Sequence, residues 1–187
     1  MPGIIFMPDY KILLVGGSGS GKTTAIATVS ETEVVNTDVF NTDDRLNKEM
    51  TTVGLDYGEV TIPGIQGARL RLYGTPGQAR FSFIWQTLAL GSSGIILLAD
   101  NSQPEPMESL KFYLQYFKRL LADTDKAVVL GVVKTDVSPS PDRPAWQQML
   151  RESGFDIPVI IIDAREYDSV CQMLITLSKQ LRLSNHE

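Results

Sequence analysis

The fold of this chain is decided by the stretch Gly16-Gly17-Ser18-Gly19-Ser20-Gly21-Lys22-Thr23, which fills every fixed position of the pattern G-x-x-x-x-G-K-[ST]. An apolar run at 12–15 precedes it and a run typical of a helix follows at 24–29. The sequence therefore predicts a strand, a tight loop and a helix whose backbone N–H groups surround phosphates. Lys22 is predicted to contact the β- and γ-phosphates, and the Thr23 hydroxyl to bind Mg²⁺. A glycine-rich turn that contains Lys-Thr by coincidence is the alternative.

The composition is that of one globular domain. With 187 residues, 43% of them hydrophobic and 21% charged, the chain can build a single core, which we expect at about 9–183 of a domain spanning 1–187. A net charge of −5 offers no basic surface for DNA or RNA, so we expect no nucleic-acid binding. The one cysteine, Cys171, excludes an intrachain disulfide and fits a reducing compartment. We therefore expect a cytoplasmic protein.

Membrane attachment has no support in the sequence. No stretch approaches the roughly 20 apolar residues that cross a bilayer. Pro2 follows Met1 where a myristoylation signal needs glycine, and the last residues contain no prenylation cysteine. We expect no direct membrane anchor.

The order of the apolar runs predicts a doubly wound α/β fold. Residues 30–51 are polar and without period, which predicts a long loop, whereas 55–62 and 68–73 alternate and predict a hairpin. Further on, strands predicted at 95–99, 128–133 and 159–162 alternate with helices predicted at about 106–122, 143–152 and 167–182. We expect a mostly parallel, six-stranded sheet whose one antiparallel edge strand is the first arm of the hairpin. Its site lies beyond the carboxyl ends of the strands.

Segments at those strand ends resemble the five guanine-nucleotide motifs of Ras-like small GTPases in order and spacing. They are Gly16–Thr23, Thr52–Tyr57, Tyr73–Phe81, Lys134–Asp136 and Asp163–Arg165. The resemblance covers nearly the whole chain and is strongest to the prokaryotic branch, which is associated with roadblock-type partners and with bacterial polarity and signalling. It implies a P-loop NTPase fold, bound GTP or GDP with Mg²⁺, and slow unassisted hydrolysis, on the order of 10⁻⁴–10⁻² per second.

The resemblance assigns roles on the phosphate side. Thr52 would coordinate Mg²⁺ and the γ-phosphate, Gly77 would offer its N–H to the γ-phosphate, and Gln78 would orient the attacking water. Arg45 is a candidate arginine finger and Arg80 a second one; if neither serves, a partner must supply the charge. A strand-entry threonine, a surface glutamine and solvated arginines are the structural alternatives.

On the base side, the resemblance implies that the Lys134 stem lies along the purine, that Asp136 accepts from the guanine ring N–H and amine, and that Ala164 donates its N–H to the guanine oxygen. It also places Thr24 and Arg165 at the nucleotide. Adenine lacks the donors that Asp136 would accept from, so guanine is predicted. An ordinary loop in which Asp136 caps a turn is the alternative.

Three residues, in two of the motifs, depart from the family pattern. Val133 stands where the family usually has an Asn that ties the base loop to the phosphate loop, which predicts weaker guanine binding. Gly74 replaces the usual Asp that supports Mg²⁺ through water, and Pro76 removes an N–H nearby. Asp100, at the end of a strand, is the best-placed spare carboxylate, with a capping or loop role as the alternative.

The sequence thus predicts a GTP-binding molecular switch. Loops at about 36–54 and 74–84 would change with the nucleotide, and partner proteins would read the change. Exposed members of the group Phe81, Phe83 and Trp85 would contact the partner, although core burial explains each of them equally well. A nucleotide-binding adaptor with little turnover and an ATP-using P-loop enzyme stay open as alternatives.

Overall fold

The computed structural model describes residues 8–40, 52–62, 68–122 and 126–184. In it, β1 (Asp9–Gly16) leads into the phosphate loop and α1 (Lys22–Val29) leaves it, as the motif predicts. The other strands are β2 (Val35–Phe40), β3 (Thr52–Thr61), β4 (Arg69–Gly74), β5 (Gly94–Asp100), β6 (Ala127–Val133) and β7 (Val159–Ile161). The other helices are α2 (Ser82–Ala89), α3 (Pro106–Tyr116), α4 (Lys118–Leu121), α5 (Arg143–Glu152) and α6 (Tyr167–Ser184), with a short 3-10 helix at Ala79–Phe81.

The strands form one mixed sheet in the order β2-β3-β4-β1-β5-β6-β7. The five strands from β4 to β7 in that order are parallel, while β3 is antiparallel to both of its neighbours. The parallel strands all end at one edge of the sheet, so the loops that follow them meet there. The predicted doubly wound α/β fold is confirmed.

The sheet differs from the prediction at its β2 edge. Residues 35–40, which we predicted to be loop, form β2, so the sheet has seven strands instead of six and the antiparallel strand β3 lies second from the edge. Because β2 pairs with β3 on one side only, it needs no continuous apolar run of the kind that marks a central strand. Residues 41–51 of the predicted loop lie outside the described residues.

Helices cover both faces of the sheet. Helices α1 and α6 pack on one face, and α2, α3 and α5 pack on the other, where Trp85 and Trp146 are fully buried. The central strands β5 and β6 are buried along their whole length, which explains their apolar runs without alternation.

The helix predicted at 106–122 is divided. It breaks at Phe117, which is buried and stacks on Trp85 with ring centroids 5.9 Å apart. The other two predicted helices coincide with α5 and α6. None of the helices within the described ranges is long and apolar enough to cross a membrane.

Candidate functional site

The phosphate loop, residues 16–21, makes a tight turn from β1 into α1. Gly19 and Gly21 have φ angles of 75° and 84°, in the left-handed region that favours glycine. The turn brings the first backbone N–H groups of α1, which have no partner within the helix, to the mouth of the loop. Such an arrangement attracts an anion.

The Lys22 side chain points into this loop. Its ammonium donates to the carbonyl oxygens of Gly16 and Gly17 at 2.8 and 2.7 Å. Burial lowers the pKa of Lys22 to about 8, and the nearby Asp56 carboxylate opposes this shift. A mostly protonated ammonium at neutral pH therefore lies where the motif predicts a phosphate contact.

A second loop, from Gly74 to Gln78, docks on the phosphate loop. The Thr75 backbone N–H and hydroxyl both donate to the Leu14 carbonyl, at 2.9 and 3.1 Å. A Cβ atom at Gly77 would lie 2.6 Å from the Gly17 carbonyl carbon and 2.4 Å from the Ser18 backbone nitrogen. Only glycine fits at 77, and its backbone touches the phosphate loop directly. Gln78 follows and is exposed at this edge.

A carboxylate from β3 occupies the space beside Gly74. Asp56 pairs with Gly74 across the hairpin, and a Cβ at Gly74 would lie 3.1 Å from Asp56 Oδ2. The same oxygen accepts a hydrogen bond from the Thr23 hydroxyl at 2.5 Å. The carboxylate that the sequence lacks at 74 is therefore supplied, at nearly the same place, by the neighbouring strand.

The spare carboxylate that we predicted, Asp100, does not take this role. Its side chain is 4% exposed and accepts from Lys134 Nζ at 2.6 Å, from the Ser102 hydroxyl at 2.6 Å and from Gln103 at 3.1 Å. Burial by itself would raise the pKa of Asp100, but these hydrogen bonds hold it below its usual range. Asp100 thus fixes the base-side lysine and shapes its own loop.

The base-side residues converge beyond β6 and β7. Lys134 has a φ of 60°, the one positive φ among the described non-glycine residues, and such strain is common at functional sites. Asp136 accepts from Arg165 Nη2 at 3.0 Å, and the same nitrogen pairs with Asp163 at 2.6 Å. Asp163 and Arg165 therefore orient the predicted guanine-reading carboxylate.

Val133 is buried in the core and has no polar atom with which to tie the loop after β6 to the phosphate loop, whereas the loop after β7 does contact α1 and the phosphate loop. The Thr28 hydroxyl of α1 donates to the Ala164 carbonyl at 2.7 Å. A Cβ at Gly21 would lie 3.2 Å from the Ala164 side chain, so the loop after β7 packs directly on the phosphate loop.

Asn101 holds the loop that follows β6. This buried residue donates to the carbonyls of Ser138 and Pro141 at 2.7 and 3.1 Å and accepts from Trp146 Nε1 at 3.0 Å. Its three side-chain hydrogen bonds join the end of β5 to the loop after β6 and to α5. The loop that carries Asp136 is therefore braced from the side of β5.

The remaining predicted site residues have mixed outcomes. Thr24 lies exposed in the first turn of α1, and Thr52 begins β3, where it pairs with Phe40. Their contacts with a nucleotide stay predictions. Arg45 lies outside the described residues. The Arg80 guanidinium lies over the ring of the following phenylalanine, 4.7 Å from its centroid.

The predicted partner surface is reduced to one residue. Phe81 and Trp85 are buried, whereas Phe83 is 54% exposed on α2. Core packing therefore explains two of the three aromatic side chains.

The donor set beside Lys22 fits Mg²⁺. Thr23 and Asp56 present a hydroxyl and a carboxylate, the hard oxygen groups that Mg²⁺ prefers. Within the described ranges, no three His, Cys, Asp or Glu side chains form a group that could hold a metal. This arrangement suits a Mg²⁺ ion that is held partly by the phosphates of its nucleotide.

Sequence reasoning missed Asp56, Asn101 and Tyr113, the last of which donates to the Gly77 carbonyl. A usable signal existed for Asp56, because counting outward from the turn of the predicted hairpin places it opposite Gly74. No comparable signal marked the other two, which read as an ordinary loop residue and a core aromatic.

The chain matches the Ras family over residues 11–182. It is 27% identical to Ras-related protein RabC of Dictyostelium discoideum over 182 residues, which cover 92% of this chain and 83% of RabC. It is 29% identical to GTP-binding protein YPT1 of Saccharomyces cerevisiae over 180 residues, 94% of this chain and 80% of YPT1. Ras-related protein Rab-13 of Mesocricetus auratus is 32% identical over 124 residues, 65% of this chain and 55% of Rab-13.

Proposed function

Because the chain belongs to the Ras family of GTP-binding proteins, we propose that it is a switch that binds GTP, hydrolyses it slowly and signals the difference to partner proteins. The contact between Gly77 and the phosphate loop carries this proposal. A terminal phosphate held by the loop must meet the second loop there, so the shape of the second loop depends on whether that phosphate is present.

On the phosphate side, the Lys22 ammonium exchanges the carbonyls of Gly16 and Gly17 for oxygens of the β- and γ-phosphates. Charge-assisted hydrogen bonds of this kind are the stronger ones, which favours the exchange. The Gly77 N–H binds the γ-phosphate and loses its acceptor in the diphosphate complex. The second loop is therefore held by GTP and released by GDP.

Mg²⁺, when bound, neutralises charge that develops between the β- and γ-phosphates. Thr23 would hold the ion through its hydroxyl, and Thr52 would join it in the triphosphate complex. Asp56 would orient the Thr23 hydroxyl and take the place of the carboxylate that is missing at Gly74. The hydrogen bond between Asp56 and Thr23 supports this assignment.

On the base side, Asp136 accepts from the guanine N–H groups, with Arg165 holding the carboxylate in place. Lys134, anchored by Asp100, covers one face of the purine, and the Ala164 N–H binds the guanine oxygen. Adenine lacks the N–H groups from which Asp136 would accept, which is why guanine is preferred.

Turnover needs Gln78 to orient water and a positive charge to stabilise the transition state. Arg45 or a partner protein supplies that charge. We further propose that the protein belongs to the prokaryotic branch and has a roadblock-type partner, because its Gly74-Thr75-Pro76-Gly77 variant resembles that branch, and that it is cytoplasmic, because its single cysteine fits a reducing compartment. Binding of a purified roadblock-domain protein from the same genome to the GTP form, and not the GDP form, would support that placement.

The base assignment predicts strong selectivity. GDP and GTP should displace fluorescent GDP at least about 10³-fold better than ADP and ATP, because adenine lacks the two donors that Asp136 accepts from in guanine. Asp136→Ala should weaken guanine binding about 10- to 100-fold. Asp156→Ala, an exposed acidic residue ahead of β7 at the opposite edge of the sheet, should leave it unchanged. Equal displacement by ATP would reject the guanine assignment and favour the ATP-using enzyme.

The metal assignment predicts that Asp56→Asn weakens Mg²⁺ binding to the nucleotide complex about 10- to 100-fold. The readout is the Mg²⁺ concentration that half-suppresses release of fluorescent GDP. Moving the carboxylate, with Asp56→Gly and Gly74→Asp together, should recover part of the loss because it returns to nearly the same space. Asp156→Asn is the matched control. An unchanged Mg²⁺ requirement in Asp56→Asn contradicts the role of Asp56.

The turnover assignment predicts that Gln78→Ala slows single-turnover phosphate release from GTP about 10- to 100-fold, because the attacking water loses its orientation. Gln86→Ala, which changes an exposed glutamine on α2, serves as the control. If both variants release phosphate at the wild-type rate, Gln78 has no catalytic part. A wild-type protein that binds GTP without releasing phosphate is the adaptor.

A further inference from the structure

The second loop is fastened to helix α3 as well as to the phosphate loop. Three hydrogen bonds from buried or half-buried aromatic side chains hold its backbone and the start of α2. Trp85 Nε1 donates to the Pro76 carbonyl at 2.8 Å, the Tyr113 hydroxyl to the Gly77 carbonyl at 3.1 Å, and the Tyr116 hydroxyl to the Ser82 carbonyl at 2.7 Å. The rings of Tyr113 and Tyr116 both pack against the Trp85 ring, that of Tyr116 edge-on.

Of the three bonds, the one from Tyr113 is at the tip of the loop. Tyr113 is 7% exposed, and a Cβ at Gly17 would lie 3.8 Å from its hydroxyl. The hydroxyl thus lies at the junction of α3, the phosphate loop and the second loop. It lines a cavity of about 350 Å³ whose walls include Ser18 and Gly77. Burial raises the pKa of Tyr113, so the hydroxyl keeps the proton it donates.

The position of this bond determines the direction of the next peptide group. In a planar trans peptide the C=O and the following N–H point in opposite directions. With the Gly77 carbonyl directed at α3, the Gln78 N–H points away from α3. Glycine tolerates more backbone angles than other residues, so the Tyr113 bond adds a restraint on the Gly77–Gln78 peptide to the packing of Gly77 on the phosphate loop.

We propose that Tyr113 is a positioning residue for the terminal phosphate: its hydroxyl holds the Gly77 carbonyl, which restrains the residue whose own N–H binds a γ-phosphate and aims the Gln78 side chain that follows. This inference rests on the proposed nucleotide switch and adds a residue outside the nucleotide motifs. Because the bond acts on the second loop only, it favours the triphosphate over the diphosphate. A merely structural tyrosine would affect both nucleotides alike.

The test uses Tyr113→Phe, which keeps the ring and its packing on Trp85, 5.3 Å between centroids, and removes only the hydroxyl. Tyr116→Phe is the matched control, since it removes a hydroxyl that binds the Ser82 carbonyl beyond the loop. Affinities for GDP and for a non-hydrolysable GTP analogue, single-turnover phosphate release and thermal unfolding are measured for both variants. We expect Tyr113→Phe to lower the ratio of GTP-analogue to GDP affinity about 3- to 10-fold, the worth of one hydrogen bond, and to slow phosphate release.

The control should keep the wild-type affinity ratio. The inference is overturned if Tyr113→Phe keeps that ratio too, if it weakens GDP and the GTP analogue equally, or if Tyr116→Phe lowers the ratio as much. The comparison is made with whichever base the wild-type protein binds. A preference for adenine would therefore overturn the proposed function while the triphosphate-to-diphosphate ratio still decides the role of Tyr113.

Discussion

Two backbone segments, the phosphate loop and the loop after β4, lie too close together for side chains, and the rest of the site depends on this contact. The parallel pairing of β1 with β4 places Leu14 beside Gly74, so the loops that follow the two strands begin side by side. Thr75 then fastens the second loop to the Leu14 carbonyl. Gly77 completes the contact because no side chain fits there. A phosphate bound by the phosphate loop would therefore lie next to the loop after β4.

Neighbouring strands and loops also place polar groups close to the residues that depart from the family pattern. A carboxylate is needed at a place in space, and β3 reaches that place from the other arm of the hairpin with Asp56. Val133 offers no polar atom, but the loop after β6 is held by Asn101 and the loop after β7 is held to α1 through the Ala164 carbonyl.

Much of the fold followed from the sequence because buried parallel strands and amphipathic helices carry strong patterns. The runs that became β5 and β6 are buried at every residue, which holds for none of the other strands in the described part of the chain. The strand β2 was not predicted, because an edge strand that pairs on one side only needs few apolar side chains. Motif spacing predicted Lys22, Gly77 and Arg165, whereas Asp56 and Tyr113 act through contacts across a hairpin and between a helix and a loop. The hairpin register could have indicated Asp56, but the contact of Tyr113 depends on how a helix packs against a loop, which local pattern does not encode.

Amide hydrogen exchange, compared between saturated Mg²⁺ complexes of GDP and of a non-hydrolysable GTP analogue, tests the switch most directly. Residues 75–82 should exchange more slowly in the triphosphate complex because the γ-phosphate engages the Gly77 N–H. Helix α5, which packs on the far part of the sheet, should exchange equally in both. Identical exchange of residues 75–82 in the two saturated complexes would contradict a nucleotide-driven switch and leave a nucleotide-binding adaptor.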